Sequence, residues 1–254
     1  NNNWERPVYF AVTTGGDSYI GLQDYFRLEG LAYRLVPIKY PTNPNPNIMG
    51  GIETDLMYKN VMENWEWGGM DDLENGIYMD ENNRRMVTNV RLQMSNLSEA
   101  LIDENDPKRA LIVLDELLRG TPKENVPYTR VLMPVAETYI KVANSDTLLT
   151  PYANILSEEE RGKALKAAKE LTEELFIQSE ETIAYSLSLS PEYYGAMEED
   201  RQLSLQICDR LQRVLDYYHP EDEYVDELKS RIDTLEVQIE NYQRMIIDLG
   251  SINF

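Results

Sequence analysis

The sequence has few of the residues on which most catalytic and metal sites depend. It contains one cysteine, Cys208, and one histidine, His219. A single cysteine excludes an internal disulfide, and one cysteine with one histidine gives zinc no plausible ligand set. No Ser-His-Asp set, reactive-cysteine motif, H-E-x-x-H or calcium-loop spacing occurs. The many acidic residues allow a glycosidase-like pair of carboxylates, but no spacing in the sequence identifies such a pair. We therefore expect no catalytic, cofactor-binding or metal-binding residue in this chain.

Basic residues and long apolar runs are also scarce. The 254 residues include 24 basic and 45 acidic side chains, a formal net charge of -21. This charge argues against nucleic acid and against an anionic membrane surface as partners, because both need a basic face. No stretch approaches the roughly 18 apolar residues of a membrane span. The chain opens on Asn1 without an initiator methionine, and we expect it to be part of a longer protein.

Residues 1–80 are predicted to form a small α/β segment. Residues 7–13 are rich in β-branched and aromatic side chains and predict a buried strand, and residues 31–38 predict a second one. The apolar spacing in residues 17–28 predicts a helix between them, which Gly30 ends. A strand, a helix and a strand at this spacing form a βαβ unit with parallel strands. Two strands make a poor sheet, so either residues 77–79 add to it or part of it lies upstream.

All three tryptophans, Trp4, Trp65 and Trp67, lie in this first segment. Aromatic rings at core spacing are usually part of a core. Rings flanked by polar groups can instead stack on sugars or peptides. The three residues are therefore candidates for an aromatic binding platform.

From residue 81 to 254 the pattern is a succession of amphipathic helices. One helical pair follows the tetratricopeptide layout, in which neither helix can bury its apolar stripe alone. Its key residues are Met94, Leu97, Ser98, Leu101, Asp106, Pro107, Ala110, Leu114, Leu117 and Pro122. A second unit is predicted from Pro127, with a first helix around Val135 and Tyr139 and a partner helix around Ala164 and Leu175. The fold class is thus mainly α, a small α/β (βαβ) segment followed by a tetratricopeptide-like helical array.

The last helix carries an apolar seam that alternates steps of three and four residues. This is a strict heptad pattern. The seam comprises Val225, Leu228, Ile232, Leu235, Ile239, Tyr242 and Ile246. Two alternatives remain open: a helix that caps the previous repeat, or a two-stranded coiled-coil contact that makes a homodimer.

Several motifs resemble those of one known family. They are WERPVYFAVT at residues 4–13, GLQDYFRLEGLAYRLVP at 21–37, TDLMYKN at 54–60, YMDENNRR at 78–85 and VPY at 126–128. They are similar to the protein O-mannosyltransferase-like family of large multi-pass membrane proteins of Bacteroidetes, long classed as a domain of unknown function. The likeness covers about the first half of the chain.

The resemblance implies a membrane enzyme of the lipid-linked-sugar glycosyltransferase type. Its catalytic carboxylates belong to an N-terminal membrane part, so no catalytic residue carries over to this chain. The chain would be the soluble C-terminal region on the periplasmic face of the inner membrane, with membrane contact only through that N-terminal part. We expect a non-catalytic interaction domain that binds protein or peptide in its repeat groove. The alternative is a carbohydrate-binding accessory domain that uses the aromatic-rich N-terminal segment.

Two short motifs resemble the Asp-Ser/Thr-aliphatic acceptor of O-glycosylation in those bacteria. Asp146-Thr147-Leu148 lies in a predicted long loop, so Thr147 is a candidate acceptor. Thr234 lies beside the heptad seam in a predicted helix, and we interpret its match as a coincidence.

Overall fold

The computed structural model describes residues 4–41, 43, 45, 48–145 and 156–252 of the chain. The chain divides into two compact units. The first unit comprises Asn1–Pro127 and Ser145–Arg161, and the second comprises Tyr128–Asn144 and Gly162–Phe254. The first unit therefore extends beyond the predicted boundary at residue 80 and includes two long helices. The division into a 1–80 segment and an 81–254 repeat domain remains a prediction about sequence organisation.

A small sheet of four short strands lies in the first unit. Its strands are β1 (Tyr9–Ala11), β2 (Phe26–Leu28), β3 (Ala32–Leu35) and β4 (Gly51–Ile52). Their order across the sheet is β1-β3-β2-β4. The pairs β1/β3 and β2/β3 are antiparallel, and β2/β4 is parallel. Strands β2 and β3 thus form a hairpin in the middle of the sheet.

The predicted βαβ unit is wrong. Residues 17–28 form two 3₁₀ turns, Gly16–Tyr19 and Gln23–Tyr25, followed by strand β2. A continuous helix is interrupted at Ile20, which has a φ of 55° and is 81% exposed, and at Gly21, with a φ of 75°. The sheet is completed by β4 and not by residues 77–79, which form no strand.

Aromatic packing on one face of the sheet explains why β2 is a strand. Phe26 and Leu28 are fully buried and two residues apart, the period of a strand. The ring of Phe26 lies 4.9 Å from that of Phe10, 5.3 Å from that of Tyr19 and 5.6 Å from that of Tyr33. This cluster draws the 3₁₀ turns and three strands onto a common core.

The first unit also contains a short helix and a long helical pair. Helix α1 (Thr54–Lys59) continues into a π-helical turn, Asn60–Asn64. Helices α2 (Glu81–Asp103) and α3 (Pro107–Gly120) pack against each other. Each of the pair begins with a capping aspartate, and the predicted contact residues Met94, Leu97, Leu101, Ala110, Leu114 and Leu117 are all fully buried.

The described residues of the second unit form helices joined by short connections, and none of them forms a strand. Its helices are α4 (Met133–Ala143), α5 (Glu158–Ser188, in this unit from Gly162 onward), α6 (Pro191–Tyr194), α7 (Glu198–Tyr218) and α8 (Glu223–Ile252). Helix α4 packs closely against α7, a contact that the predicted second repeat does not include. An ion pair of 2.6 Å between Glu137 of α4 and Arg210 of α7 joins the two helices. The mainly helical fold with a small N-terminal α/β segment is confirmed, whereas a regular tetratricopeptide repetition remains a prediction.

A buried arginine ties the segment after α3 to α2. Arg91 is 2% exposed, and its guanidinium donates to the hydroxyl of Thr121 at 3.0 Å and to the carbonyl of Thr121 at 2.8 Å. It also donates to the carbonyls of Val126 at 2.6 Å and Pro127 at 3.0 Å. One side chain therefore satisfies buried backbone carbonyls in a segment with no regular structure of its own.

We predict that Arg91→Met lowers the free energy of unfolding of the first unit by about 2–4 kcal/mol, because it leaves buried acceptors without a donor. Urea unfolding followed by tryptophan fluorescence measures this, since all three tryptophans lie in the first unit. The matched control is Arg85→Met, an exposed position on the same helix, for which we expect a change within about 0.5 kcal/mol. Equal effects of the two substitutions would contradict this role of Arg91.

Candidate functional site

An open cavity of about 360 Å³ lies in the first unit. It is lined by residues from β1, from the turn between β2 and β3, and from the π-helical turn with the residue that follows it. The lining residues are Tyr9, Glu29, Gly30, Leu31, Ala32, Asn60, Asn64 and Trp65. The volume is within the range of small-molecule pockets, and the lining combines two aromatic rings with a carboxylate and two amides.

A buried carboxylate forms one side of this cavity. Glu29 is 8% exposed, and its Oε1 accepts from Arg27 Nε at 2.9 Å and from a terminal nitrogen of Arg27 at 2.5 Å. Its Oε2 accepts from the hydroxyl of Tyr9 at 2.9 Å, and a guanidinium nitrogen of Arg34 lies 3.9 Å from Oε1. Both carboxylate oxygens are therefore engaged, and the charge of Glu29 is compensated in place.

The Glu29 carboxylate keeps its two main partners in their donating forms. Burial raises the pKa of Tyr9, and the hydrogen bond to Glu29 raises it further. Burial lowers the pKa of Arg27, but hydrogen bonding and charge attraction from Glu29 outweigh it, so the net shift is upward. Tyr9 thus remains a neutral phenol and Arg27 a cation throughout the physiological pH range.

The π-helical turn brings two amide side chains to the cavity. Asn60 Nδ2 donates to the backbone carbonyl of Glu29 at 2.7 Å, and Asn64 Nδ2 donates to Asn60 Oδ1 at 3.2 Å. Single π-helical turns occur frequently at functional sites. The unusual turn and the cavity coincide here, which makes this the first candidate site of the chain.

Trp65 closes the cavity against a glycine. Gly30 has a φ of 142°, a conformation that side-chain-bearing residues rarely adopt, and a Cβ at this position would lie 3.5 Å from the Trp65 ring. The backbone conformation at the turn between β2 and β3 is therefore what requires glycine, since a Cβ at that distance would make only an ordinary contact with the indole.

The three tryptophans of the predicted aromatic platform do not all line the cavity. Trp65 and Trp67 lie edge to face at 6.5 Å. However, Trp67 donates from Nε1 to Glu116 at 2.6 Å, and its ring packs so closely on Gly120 that a Cβ there would lie 2.2 Å away. Trp4 is 48% exposed. Trp65 is the tryptophan that lines the cavity, and Trp67 holds its segment on α3.

An open groove lies in the second unit. Two adjoining depressions of about 260 and 370 Å³ share Arg130, Leu203 and Ile207. Their other lining residues are Thr129, Val131, Met133, Glu137, Leu175, Gln178, Ser179, Thr182, Asp200, Ser204, Gln206 and Arg210. The groove thus combines aliphatic side chains with charged and amide groups.

Most of the predicted heptad seam faces the interior of the second unit. Val225, Leu228, Leu235 and Ile239 are buried within the chain, and Leu235 and Ile239 cluster with Ile183 of α5. The remaining seam residues, Ile232, Tyr242 and Ile246, are half-buried. This placement favours the capping-helix alternative, because the stripe already has intramolecular partners. The homodimer remains a prediction.

The other residues considered from the sequence offer little chemistry. Burial raises the pKa of the Cys208 thiol to about 11, so the nucleophilic thiolate is scarce at neutral pH. Burial lowers the pKa of His219, whose ring nitrogen lies 3.1 Å from the amide of Asn144. Thr147 lies outside the described residues. The hydroxyl of Thr234 donates to Ser230 O in its own helix.

Over 4–41, 43, 45, 48–145 and 156–252, no three side chains among His, Cys, Asp and Glu are grouped as metal ligands. In the same part of the chain, no helix is both long enough and apolar enough to cross a membrane.

Comparison with protein-family models gives a match for the N-terminal part of the chain. Residues 1–56 match the family model described as TMEM260-associated domain 2. The match suggests a TMEM260-like family and fits an accessory domain of a membrane protein. The chain matches no curated protein and no solved structure. Tyr9 and residues 29–32 of the cavity lie inside the matched segment, whereas Asn60, Asn64 and Trp65 lie just beyond it.

Because most of the seam is buried within the chain, we predict that its disruption lowers stability without changing the molar mass. Leu235→Asn should lower the thermal midpoint of the second unit, since Leu235 is 6% exposed and packs in the Ile183 cluster. Light scattering across a concentration series should give one mass, that of a monomer, for the parent and the variant. A mass twice that of the chain that falls to the monomer value in Leu235→Asn would contradict this expectation and establish the coiled-coil dimer.

Proposed function

We propose that this chain is a non-catalytic accessory region of a membrane glycosyltransferase of the protein O-mannosyltransferase-like class of Bacteroidetes. In this proposal it lies on the periplasmic face of the inner membrane and binds a polypeptide partner. The match of residues 1–56 to a TMEM260-associated domain supports the context. The motifs that resemble the same class of enzyme continue to residues 126–128, well beyond the matched segment.

Three side chains with the right chemistry for catalysis are engaged elsewhere, which supports the non-catalytic role. The carboxylate of Glu29 is used by Arg27 and Tyr9. The thiol of Cys208 is buried, and its raised pKa keeps it protonated. The imidazole of His219 follows α7 and contacts Asn144. Each of these groups has a structural explanation that does not need a substrate.

In this proposal, the groove of the second unit is the surface that binds the polypeptide partner. Leu203 is half-buried and Ile207 is 7% exposed, and both contribute to the two depressions that make up the groove. Arg130 brings a cationic group to it, and Arg210 lines it while paired with Glu137, although the chain as a whole is strongly acidic. Aliphatic contacts with flanking charges of both signs suit an extended or helical polypeptide segment better than a single small molecule.

The test is site-specific photo-cross-linking in cells that express the full-length protein. A photoreactive amino acid replaces Gln206, an exposed residue that lines the groove. We expect a discrete cross-linked polypeptide that carries an export signal, because the proposed location is periplasmic. The cross-link should be lost in Leu203→Arg, which places a charge in the aliphatic part of the groove.

The matched control is Ile177→Arg, an apolar residue of α5 that is 41% exposed and does not line the groove. This substitution should leave the cross-link unchanged. Equal cross-linking in Leu203→Arg and the parent would exclude the groove as the binding surface. A cross-linked partner confined to the cytoplasm would contradict the periplasmic location.

A further inference from the structure

The cavity of the first unit has a lining that suits a sugar. A pyranose ring offers C–H faces to aromatic rings and hydroxyls that both donate and accept hydrogen bonds. Tyr9 and Trp65 provide aromatic rings, and Tyr9 is 49% exposed. The amide of Asn64 offers a donor and an acceptor, which is the combination that a sugar hydroxyl needs.

The two amide side chains of the cavity differ in how far their hydrogen-bonding groups are used within the chain. Asn60 is held at both ends of its amide, by the Glu29 carbonyl and by Asn64. Asn64 is exposed, and its Oδ1 has no hydrogen-bond partner among the residues that the structure describes. The hydrogen bond to Asn60 therefore holds the Asn64 side chain at the cavity and leaves Asn64 Oδ1 available to a ligand. Less side-chain entropy is then lost when a ligand binds.

Charge selects against an acidic ligand. The carboxylate in the cavity is compensated by Arg27, so it neither attracts a cation strongly nor leaves an arginine free for an anion. The net charge of -21 repels anions at longer range. A neutral sugar carries no charge that would have to be desolvated on binding or that the acidic chain would repel.

We propose that the cavity formed by Tyr9, residues 29–32, Asn60, Asn64 and Trp65 binds one neutral pyranose residue of a glycan. The ring packs on Trp65 and Tyr9, and one hydroxyl pairs with the amide of Asn64. This site gives the carbohydrate-binding alternative a specific location, with Trp65 as its tryptophan and without a role for Trp67. It is independent of the polypeptide groove in the second unit.

The experiment is saturation-transfer NMR on the chain with a panel of methyl glycosides at millimolar concentration. The panel contains both anomers of glucoside, galactoside and mannoside, and methyl glucuronide serves as the acidic comparator. We expect transfer to at least one neutral glycoside and little to the glucuronide. Asn64→Ala should weaken binding by about three- to tenfold, the effect of one hydrogen bond, and Trp65→Leu should eliminate it.

Two controls and the exposed position of one test residue keep the result interpretable. Tyr78→Ala removes an aromatic ring that is 88% exposed and does not line the cavity, and it should leave transfer unchanged. Asn64→Ala alters an exposed amide, so its result does not depend on whether Trp65→Leu folds. Leu203→Arg should also leave glycoside binding unchanged, which separates failure of this site from failure of the groove. Absence of transfer to every neutral glycoside, equal transfer to the glucuronide, or unchanged binding in Asn64→Ala would overturn the proposal.

Discussion

The Glu29 carboxylate is the point on which the candidate cavity depends. A carboxylate that is 8% exposed is costly unless its charge is paired and its oxygens are hydrogen-bonded. Arg27, from the strand that Glu29 follows, and Tyr9, from β1 at the edge of the sheet, meet this requirement. The backbone of Glu29 adds a second constraint, because its carbonyl receives the amide of Asn60. One residue thereby fixes the edge of the sheet, the hairpin turn and the π-helical turn relative to one another.

The helices of the array were the most predictable part of this fold. Asp106 followed by Pro107 indicates a helix start, and the structure has α3 begin there with Asp106 as its cap. The heptad seam likewise predicts α8, because a period sustained over several turns has no strand equivalent. The pairing of helices was less predictable. Amphipathic stripes on α4, α5 and α7 are compatible with several partners, and α4 takes α7.

The sheet was mispredicted because short segments do not distinguish the two periods. Leu22, Tyr25 and Phe26 stand at helical spacing, whereas Phe26 and Leu28, both buried, stand at the spacing of a strand. The ring cluster around Phe26, which joins residues distant in sequence, favours the strand over the helix. Ile20 contributes a local reason, since its positive φ stops a helix, but a β-branched residue gives no warning of that conformation. Parallel or antiparallel pairing then follows from tertiary contacts.

The candidate site was only partly visible for the same reason. An aromatic platform in the first segment was predicted, and Trp65 does line the cavity. Glu29 next to Gly30 is the one local signal, and it is a weak one. A charged residue before a hairpin glycine is common, and it becomes informative only when the structure shows it to be buried. Asn60 and Asn64 stand four residues apart, which is compatible with one helical face, but the spacing does not reveal the π-helical turn that contains them or the cavity beside it. The groove of the second unit requires the packing of α4 and α7, which was not predicted.

The most direct test of this account is the effect of Glu29→Gln on unfolding, followed by tryptophan fluorescence in urea. The substitution keeps the size of the side chain and removes the charge that pairs with Arg27, whose side chain is 20% exposed. We predict a loss of about 2–3 kcal/mol in the free energy of unfolding of the first unit. Glu53→Gln, at a carboxylate 42% exposed and 3.4 Å from the same guanidinium, should cost no more than about 0.5 kcal/mol. Equal costs for the two substitutions would contradict the central role of the Glu29 carboxylate.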